Sequence, residues 1–264
     1  MSTPDIRDSR FAWAYNQLEL LEAECSKFLE RHPRPYDITA DRQTEADRVV
    51  DSFNVQVHEQ PPTSIAHTLG SVLHGLRSTL DQTVFAVSEA HTGHLTSNVA
   101  RDIAYPIASR IEDFDTKKLR AVAPKAVTLI EGTQPYHRRV PALHPLAVLK
   151  TLSDIDKHRH IHLGYLYFAG AAWNGTAEVV RFNVGPFKEK AEIIAFVSDP
   201  ANPEMQVDPS LHLVIGPAER GNWESRGIVH ILEGIRDYIW REILIPLQPL
   251  MDAAPTAQGQ LPLQ

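Results

Sequence analysis

The chain has 264 residues, a formal net charge of −7 and a pI near 6.0. This acidic balance excludes a protein whose whole surface is tuned to nucleic acid, and it leaves room for a local basic patch. The single cysteine excludes an internal disulfide, and no apolar run approaches the roughly 18 residues that a membrane helix needs. We therefore expect a cytoplasmic globular protein with no membrane partner.

The first quarter of the chain predicts a helix followed by a strand. Apolar side chains recur at helical spacing over residues 8–31, and the prolines of HPRP (32–35) end that helix. Residues 36–46 are polar and carry no strong pattern. Apolar residues then alternate with polar ones over 48–58, with Asp51 as the exception, and this alternation predicts a strand.

A long helix at residues 63–90 is the predicted centre of the fold. Its apolar residues recur at three- and four-residue steps and form one face. The opposite side is not the Lys- and Glu-rich surface of a solvated helix, because it carries Gly70, Ser71, Gly75 and Ser78. We infer that the helix is covered on both sides, and that backbone or a partner chain approaches the second side closely.

The second half of the chain predicts strands and a closing helix. β-like runs separated by turn residues fill 159–216, and together with 48–58 they predict one antiparallel sheet of about five strands. A C-terminal helix is expected over about 222–244. The order of elements predicts an α+β fold in a single domain at residues 1–250, followed by a disordered tail at 251–264.

The segment LSDIDKHRHIH (152–162), at the junction of a helix and a strand, is rich in charged and histidine side chains. His158, His160 and His162 alternate, so on a strand they would share one face and could bind a divalent metal. The alternative is that these side chains only join the helix to the strand by hydrogen bonds. No nucleotide-binding glycine loop is present, so we expect no cofactor, with a divalent metal as the alternative.

A charged cluster is the second candidate site. Arg77 and Asp81 lie four residues apart on the central helix, where they can pair, and Asp156 with His158 could complete the cluster. Buried charges need partners, so the cluster could be a network that specifies the fold. It could also be a phosphodiester-cleaving site in which Arg77 holds phosphate and His158 is the acid–base group.

Ordered motifs in the chain resemble those of a known protein family. The stretches GSVLHGLRSTLDQ (70–82), YPI (105–107), QPY (134–136) and IDKHR (155–159) are similar to the G-D-x-L-H-N-L-R-S-A-L-D-H, F-P-I, Q-P-Y and I-D-K-H-R motifs of an abundant group of bacterial proteins of unassigned function. The helix of that group is similar in turn to the R-x4-6-H signature of HEPN-type RNases, dimeric proteins of toxin and antiphage systems. Gln82 stands at the histidine position of that signature.

Two functions of different classes follow from these observations. The first is a non-catalytic, homodimeric bacterial protein that binds a partner or a ligand, with the small-residue side of the central helix packed against another helix. The alternative is a HEPN-like ribonuclease or another phosphodiester hydrolase of a defence or toxin system, with RNA as its partner and Arg77, Asp81, Asp156 and His158 as its catalytic residues.

Overall fold

A computed structural model describes residues 10–45, 48–158, 163–173, 177–197, 209–217 and 226–252, except for the side chains of residues 158 and 163–165. The chain divides into two compact units. One comprises Met1–Glu19, Thr68–His160 and Leu232–Gln264, and the other comprises Leu20–His67 and Ile161–Ile231. The single domain at 1–250 remains a prediction, and the predicted tail lies outside the described residues from residue 253 onwards.

The helices include the long central one, which runs two residues further than predicted, to Thr92. In chain order they are α1 (Arg10–Glu30), α2 (Thr63–Thr92), α3 (Ser97–Asp102), α4 (Pro124–Gly132), α5 (Pro145–His158), α6 (Ile228–Tyr238) and α7 (Ile245–Met251). A π-helical stretch, Ile239–Leu244, joins α6 to α7. Short 3-10 helices lie at Ile111–Asp113, Thr116–Leu119, Pro135–His137 and Pro141–Leu143.

The strands form two antiparallel sheets. They are β1 (Tyr36–Glu45), β2 (Arg48–Val57), β3 (Leu163–Ala172), β4 (Glu178–Phe182), β5 (Lys190–Val197) and β6 (Ser210–Pro217). One sheet has the order β1-β2-β5-β4, and β3 pairs with β6 in the other. The predicted α+β class, with a long helix, an antiparallel sheet and a C-terminal helix, is confirmed. The predicted single sheet of about five strands is instead divided between these two.

The apolar faces of the first two long helices are buried as their spacing predicts. In α1 the buried residues include Phe11, Leu18 and Phe28. In α2 the whole apolar face is buried, and most of its leucines and valines are fully inaccessible to solvent. Burying such side chains contributes about 1.5–3 kcal/mol each, so this face of α2 is a main source of the stability of the core.

Strand β1 has no counterpart in the predicted elements. It pairs with β2 over its full length, from Tyr36 opposite Val57 to Glu45 opposite Arg48. After Tyr36 every residue of β1 is exposed, and the strand lies at the edge of its sheet. Its sequence therefore shows none of the alternation that reveals a half-buried strand.

The neighbouring strand β1 also explains why Asp51 interrupts the apolar alternation of β2. Asp51 is buried, and its two carboxylate oxygens accept hydrogen bonds of 2.6 and 2.8 Å from the guanidinium of Arg42 in β1. A buried carboxylate with such a bidentate partner is compensated for its lost hydration. Asp51 therefore fixes the pairing of β1 with β2.

Among the described residues, no helix combines the length and the apolar character needed to cross a bilayer.

Candidate functional site

Arg77 and Asp81 pair on α2 as predicted, and together they hold the main chain of Tyr105. The guanidinium Nη2 of Arg77 donates to Asp81 Oδ1 at 3.0 Å and to the carbonyl of Tyr105 at 2.8 Å. The N–H of Tyr105 donates to the same Asp81 oxygen at 2.8 Å. Both main-chain polar groups of Tyr105 are thus satisfied by one ion pair, so the YPI segment is attached to the central helix.

The side chain of Tyr105 is anchored on its other side by a chain of hydrogen bonds. Thr133 Oγ1 donates to the carbonyl of Ile130 at 2.6 Å, so the hydroxyl of Tyr105 must donate to Thr133 Oγ1. The hydroxyl of Tyr238 donates to the carbonyl of Thr133 at 3.1 Å. Tyr105 is fully buried, and burial raises the pKa of its phenol. Its position is therefore fixed through both main chain and side chain.

His144 ends this chain in its neutral form. Its Nδ1 accepts a hydrogen bond of 3.2 Å from the N–H of Leu146, at the start of α5. Its Nε2 lies 3.0 Å from the hydroxyl of Tyr238, which donates onward to Thr133, so Nε2 carries the ring proton. Burial, and secondarily the nearby charge of Arg138, lower the pKa of His144 to about 4.

Stability should depend on pH through His144. Its pKa is lower in the folded state than the usual 6.5, so the unfolded chain binds the proton more readily at mildly acidic pH. The free energy of unfolding should therefore fall by about 2 kcal/mol as the pH decreases from about 6.5 to about 4. Urea unfolding across this range measures it.

The control for this pH dependence is a pair of asparagine variants. His144→Asn keeps an acceptor for the N–H of Leu146 and removes the titrating group, so its stability should vary less with pH than that of the wild type. His94→Asn, at an exposed position, should leave the pH dependence unchanged. Equal pH dependence in wild type and His144→Asn would refute the assignment.

A cationic pocket lies beside the YPI segment (105–107), which α2 holds through Tyr105. It has a volume of about 150 Å³, and Tyr105 and Ile107 form part of its wall. Four positively charged side chains line it, from α2, from the 3-10 helix at 116–119 and from α5: Arg77, Lys118, Lys150 and Lys157. Asp154 is the acidic residue of its lining.

The pocket also contains a polar atom without a partner. Ser153 lines it and is only 7% exposed, yet its buried Oγ makes no hydrogen bond. A mid-helix serine commonly donates to the carbonyl four residues earlier, as Thr151 does to Ala147 at 2.9 Å in the same helix. A buried hydroxyl left unpaired costs about 1–3 kcal/mol, which a ligand with an acceptor atom would recover.

The predicted charged cluster also includes Asp156 and His158. The carboxylate of Asp156 lies against Gly70 of α2, where an added Cβ would be 3.0 Å from Oδ2. The described pocket lining includes Arg77, Asp154 and Lys157 but not Asp156 or Asp81. The side chain of His158 is outside the described part of the chain. Catalysis by this set of residues remains a prediction.

The predicted divalent-metal site consists of histidines whose side chains the structure does not describe. His160 and His162 lie outside the described residues, as does the side chain of His158. Within the described parts of the chain, no three His, Cys, Asp or Glu side chains are grouped so that they could hold a metal ion. A divalent metal at these histidines therefore stays a prediction.

The small-residue side of α2 is approached closely, as predicted, and at Gly75 the approaching helix belongs to the same chain. An added Cβ at Gly75 would be 2.8 Å from the Cβ of Ala14 and 2.9 Å from Trp13 Cζ3, both in α1. This contact gives the small residues a role within one chain. The homodimer remains a prediction.

Several pocket residues carry no signal in the sequence. Lys118 and Lys150 stand in unrelated segments, and each looks like an ordinary surface lysine. Tyr105 and Lys157 stand within the stretches at 105–107 and 155–159 on which the motif resemblance rests. Only the fold brings the lysines to Arg77.

Comparison with known proteins adds no relative. No family model, no curated protein and no solved structure matches the chain. The resemblance to a bacterial family and to HEPN-type proteins therefore stays a prediction from the motifs.

Proposed function

We propose that the chain is a non-catalytic binding protein whose pocket holds an anionic ligand. The observation that carries the proposal is the combination of four cationic side chains with the unpartnered Oγ of Ser153 in one small cavity. Cations that line a concave site raise the local concentration of anions and bind them directly. A buried hydroxyl donor adds a directional bond to an anion's oxygen.

The lysines are available to a ligand. Among the described residues, Lys118, Lys150 and Lys157 take part in no ion pair. Lys150 donates one hydrogen bond of 3.4 Å to the carbonyl of Ile107, and an ammonium group has three donors. Arg77 is held in place by Asp81 and Tyr105, so it contributes a fixed positive charge at the pocket wall.

Binding is favoured over catalysis by how the polar groups are used. Arg77 and Asp81 bind the main chain of Tyr105, so both side chains have a structural role. Hydrolysis of a phosphodiester needs an acid–base group at the substrate. Among the described side chains, the lining contains no histidine, and its one carboxylate, Asp154, is exposed. The ribonuclease alternative would depend on His158.

Titration with inorganic phosphate tests the proposal. Wild-type protein at low ionic strength should bind phosphate, and the affinity should fall as salt is added because the charges are partly exposed. Lys150→Ala and Lys157→Ala should each weaken binding by about 10-fold, since a hydrogen bond to a charged group contributes about 1.5–3 kcal/mol. Isothermal calorimetry provides the affinities.

The matched control is Lys125→Ala, which removes an exposed lysine of α4 outside the pocket lining and should leave the affinity unchanged. Thermal unfolding of every variant establishes that the fold is intact. Absence of binding by the wild type, or equal loss in all three variants, would contradict the pocket as the site. In parallel, cleavage of RNA that His158→Ala abolishes would support the ribonuclease alternative instead.

A further inference from the structure

We infer that the anion is the terminal phosphoryl group of a phosphomonoester, in its dianionic form, with the remainder of the ligand outside the pocket. This inference rests on the proposed function, since it specifies which anion the same site takes. It separates two chemical classes that a general anion site would not distinguish: an end phosphate with two negative charges, and an in-chain phosphodiester with one.

The charges of the site favour a ligand with more than one negative charge. The four cations of the lining are opposed by Asp154 in the lining and by Asp81, which is paired with Arg77 at 3.0 Å. Two positive charges therefore remain without a counter-charge. A concave site with excess positive charge attracts a dianion more strongly than a monoanion. A phosphomonoester carries about two negative charges near neutral pH, so it balances this excess, whereas a phosphodiester or a sulfate ester balances half of it.

The size of the pocket admits one small group. Its volume of about 150 Å³ is half of the roughly 300 Å³ at which pockets begin to enclose a whole drug-sized ligand. A terminal phosphoryl group has one substituent and can enter end-on. A phosphodiester has two substituents, which would both have to pass out of the same small cavity. The volume therefore favours an end group over a point within a chain.

The hydrogen-bonding groups of the wall match three terminal oxygens. The unpartnered hydroxyl of Ser153 can donate one bond, and the ammonium groups of Lys150 and Lys157 can donate others. The nearby carbonyls are already in use, because Arg77 binds that of Tyr105 and Lys150 binds that of Ile107. Few free acceptors at the wall therefore compete with the phosphate oxygens for these donors.

Phenyl phosphate and phenyl sulfate form the matched pair of probes, since they share shape and differ by one negative charge near pH 8. Phenyl phosphate should bind at least about 10-fold more tightly, corresponding to about 1.4 kcal/mol. Its affinity should fall as the pH drops below about 6, where the phosphoryl dianion takes up a proton and becomes a monoanion. Methyl phenyl phosphate, a diester, should bind no better than phenyl sulfate.

The outcomes separate this inference from the proposed function. Equal affinity for phenyl phosphate and phenyl sulfate would overturn the inference while leaving an anion site. Tighter binding of the diester than of phenyl phosphate would overturn it as well. No binding of any probe, inorganic phosphate included, would overturn the proposed function itself.

Ser153→Ala gives a second readout on the same inference. Removing the hydroxyl should weaken phenyl phosphate binding by about 5-fold to 10-fold. It should not lower the melting temperature of the ligand-free protein, because the lost Oγ has no partner there. Unchanged affinity in Ser153→Ala would contradict the role of the hydroxyl as a phosphate donor.

Discussion

Replacing Gly75 by leucine is expected to lower the free energy of unfolding by about 3 kcal/mol or more, at the upper end of what overpacking a core costs. Carbon atoms in contact prefer separations of about 3.5–4.0 Å. An added Cβ at Gly75 would already be 2.8 Å from Ala14 Cβ and 2.9 Å from Trp13 Cζ3. Trp13 is partly exposed, so its side chain can move. Ala14 is buried, and its Cβ can move only together with the backbone of α1. The two helices would have to separate.

Gly234→Ala is the matched control for Gly75→Leu. Gly234 lies within α6, and an added Cβ there would meet no atom within 4 Å. Alanine should raise the free energy of unfolding by about 0.5–1 kcal/mol, because it reduces the freedom of the unfolded chain. Urea unfolding followed by far-UV circular dichroism measures both variants. A Gly75→Leu protein as stable as the wild type would show that α1 does not pack on α2 at this point.

Asp81→Ala should be the second strongly destabilising substitution, by about 2–3 kcal/mol. It leaves the N–H of the buried Tyr105 without an acceptor and removes the carboxylate from Arg77. The side chain of Asp81 is 38% exposed, which keeps the loss below that of a fully buried ion pair. Unfolding in urea gives the value.

Asp81→Asn distinguishes a structural role from a catalytic one. The amide oxygen of asparagine can still accept from Tyr105, so this variant should regain most of the stability and should still bind phosphate. Asp113→Ala, which removes an exposed pair with Arg110, should leave the stability close to that of the wild type. Wild-type stability of Asp81→Ala would contradict the anchoring of Tyr105 by α2.

Periodicity in the sequence was enough to predict the parts of the fold that bury one face. The apolar steps of α2 predict its buried side, and the alternation of β2 predicts its strand, with Asp51 as the exception. In each case one side of the element faces the core, so the order of apolar and polar residues follows the pattern of burial.

No local pattern in the sequence predicts how the strands divide into two sheets. Strand β1 is exposed along nearly its whole length and is held by pairing with β2 and by the bond from Arg42 to Asp51. The choice of β5 rather than β3 as the neighbour of β2 depends on contacts between distant segments. Pairing partners of this kind are set by the whole fold.

The candidate site was predicted in part. The spacing of Arg77 and Asp81 correctly indicated a pair on one helix. The sequence does not indicate their binding to Tyr105, because Tyr105 lies 24 residues after Asp81 and no pattern marks the contact. Lys118 and Lys150 become part of a site only when the chain folds, since a lone lysine in a sequence is most often a solvated side chain.

The proposal that the pocket beside Tyr105 holds a phosphate-like anion is tested most directly by a crystal structure with tungstate, a tetrahedral dianion located by its anomalous scattering. We predict an anomalous peak inside the pocket, within hydrogen-bonding distance of Ser153 Oγ and of the ammonium group of Lys150 or Lys157. A pocket without a peak at saturating tungstate, or peaks confined to other surfaces, would contradict the proposal.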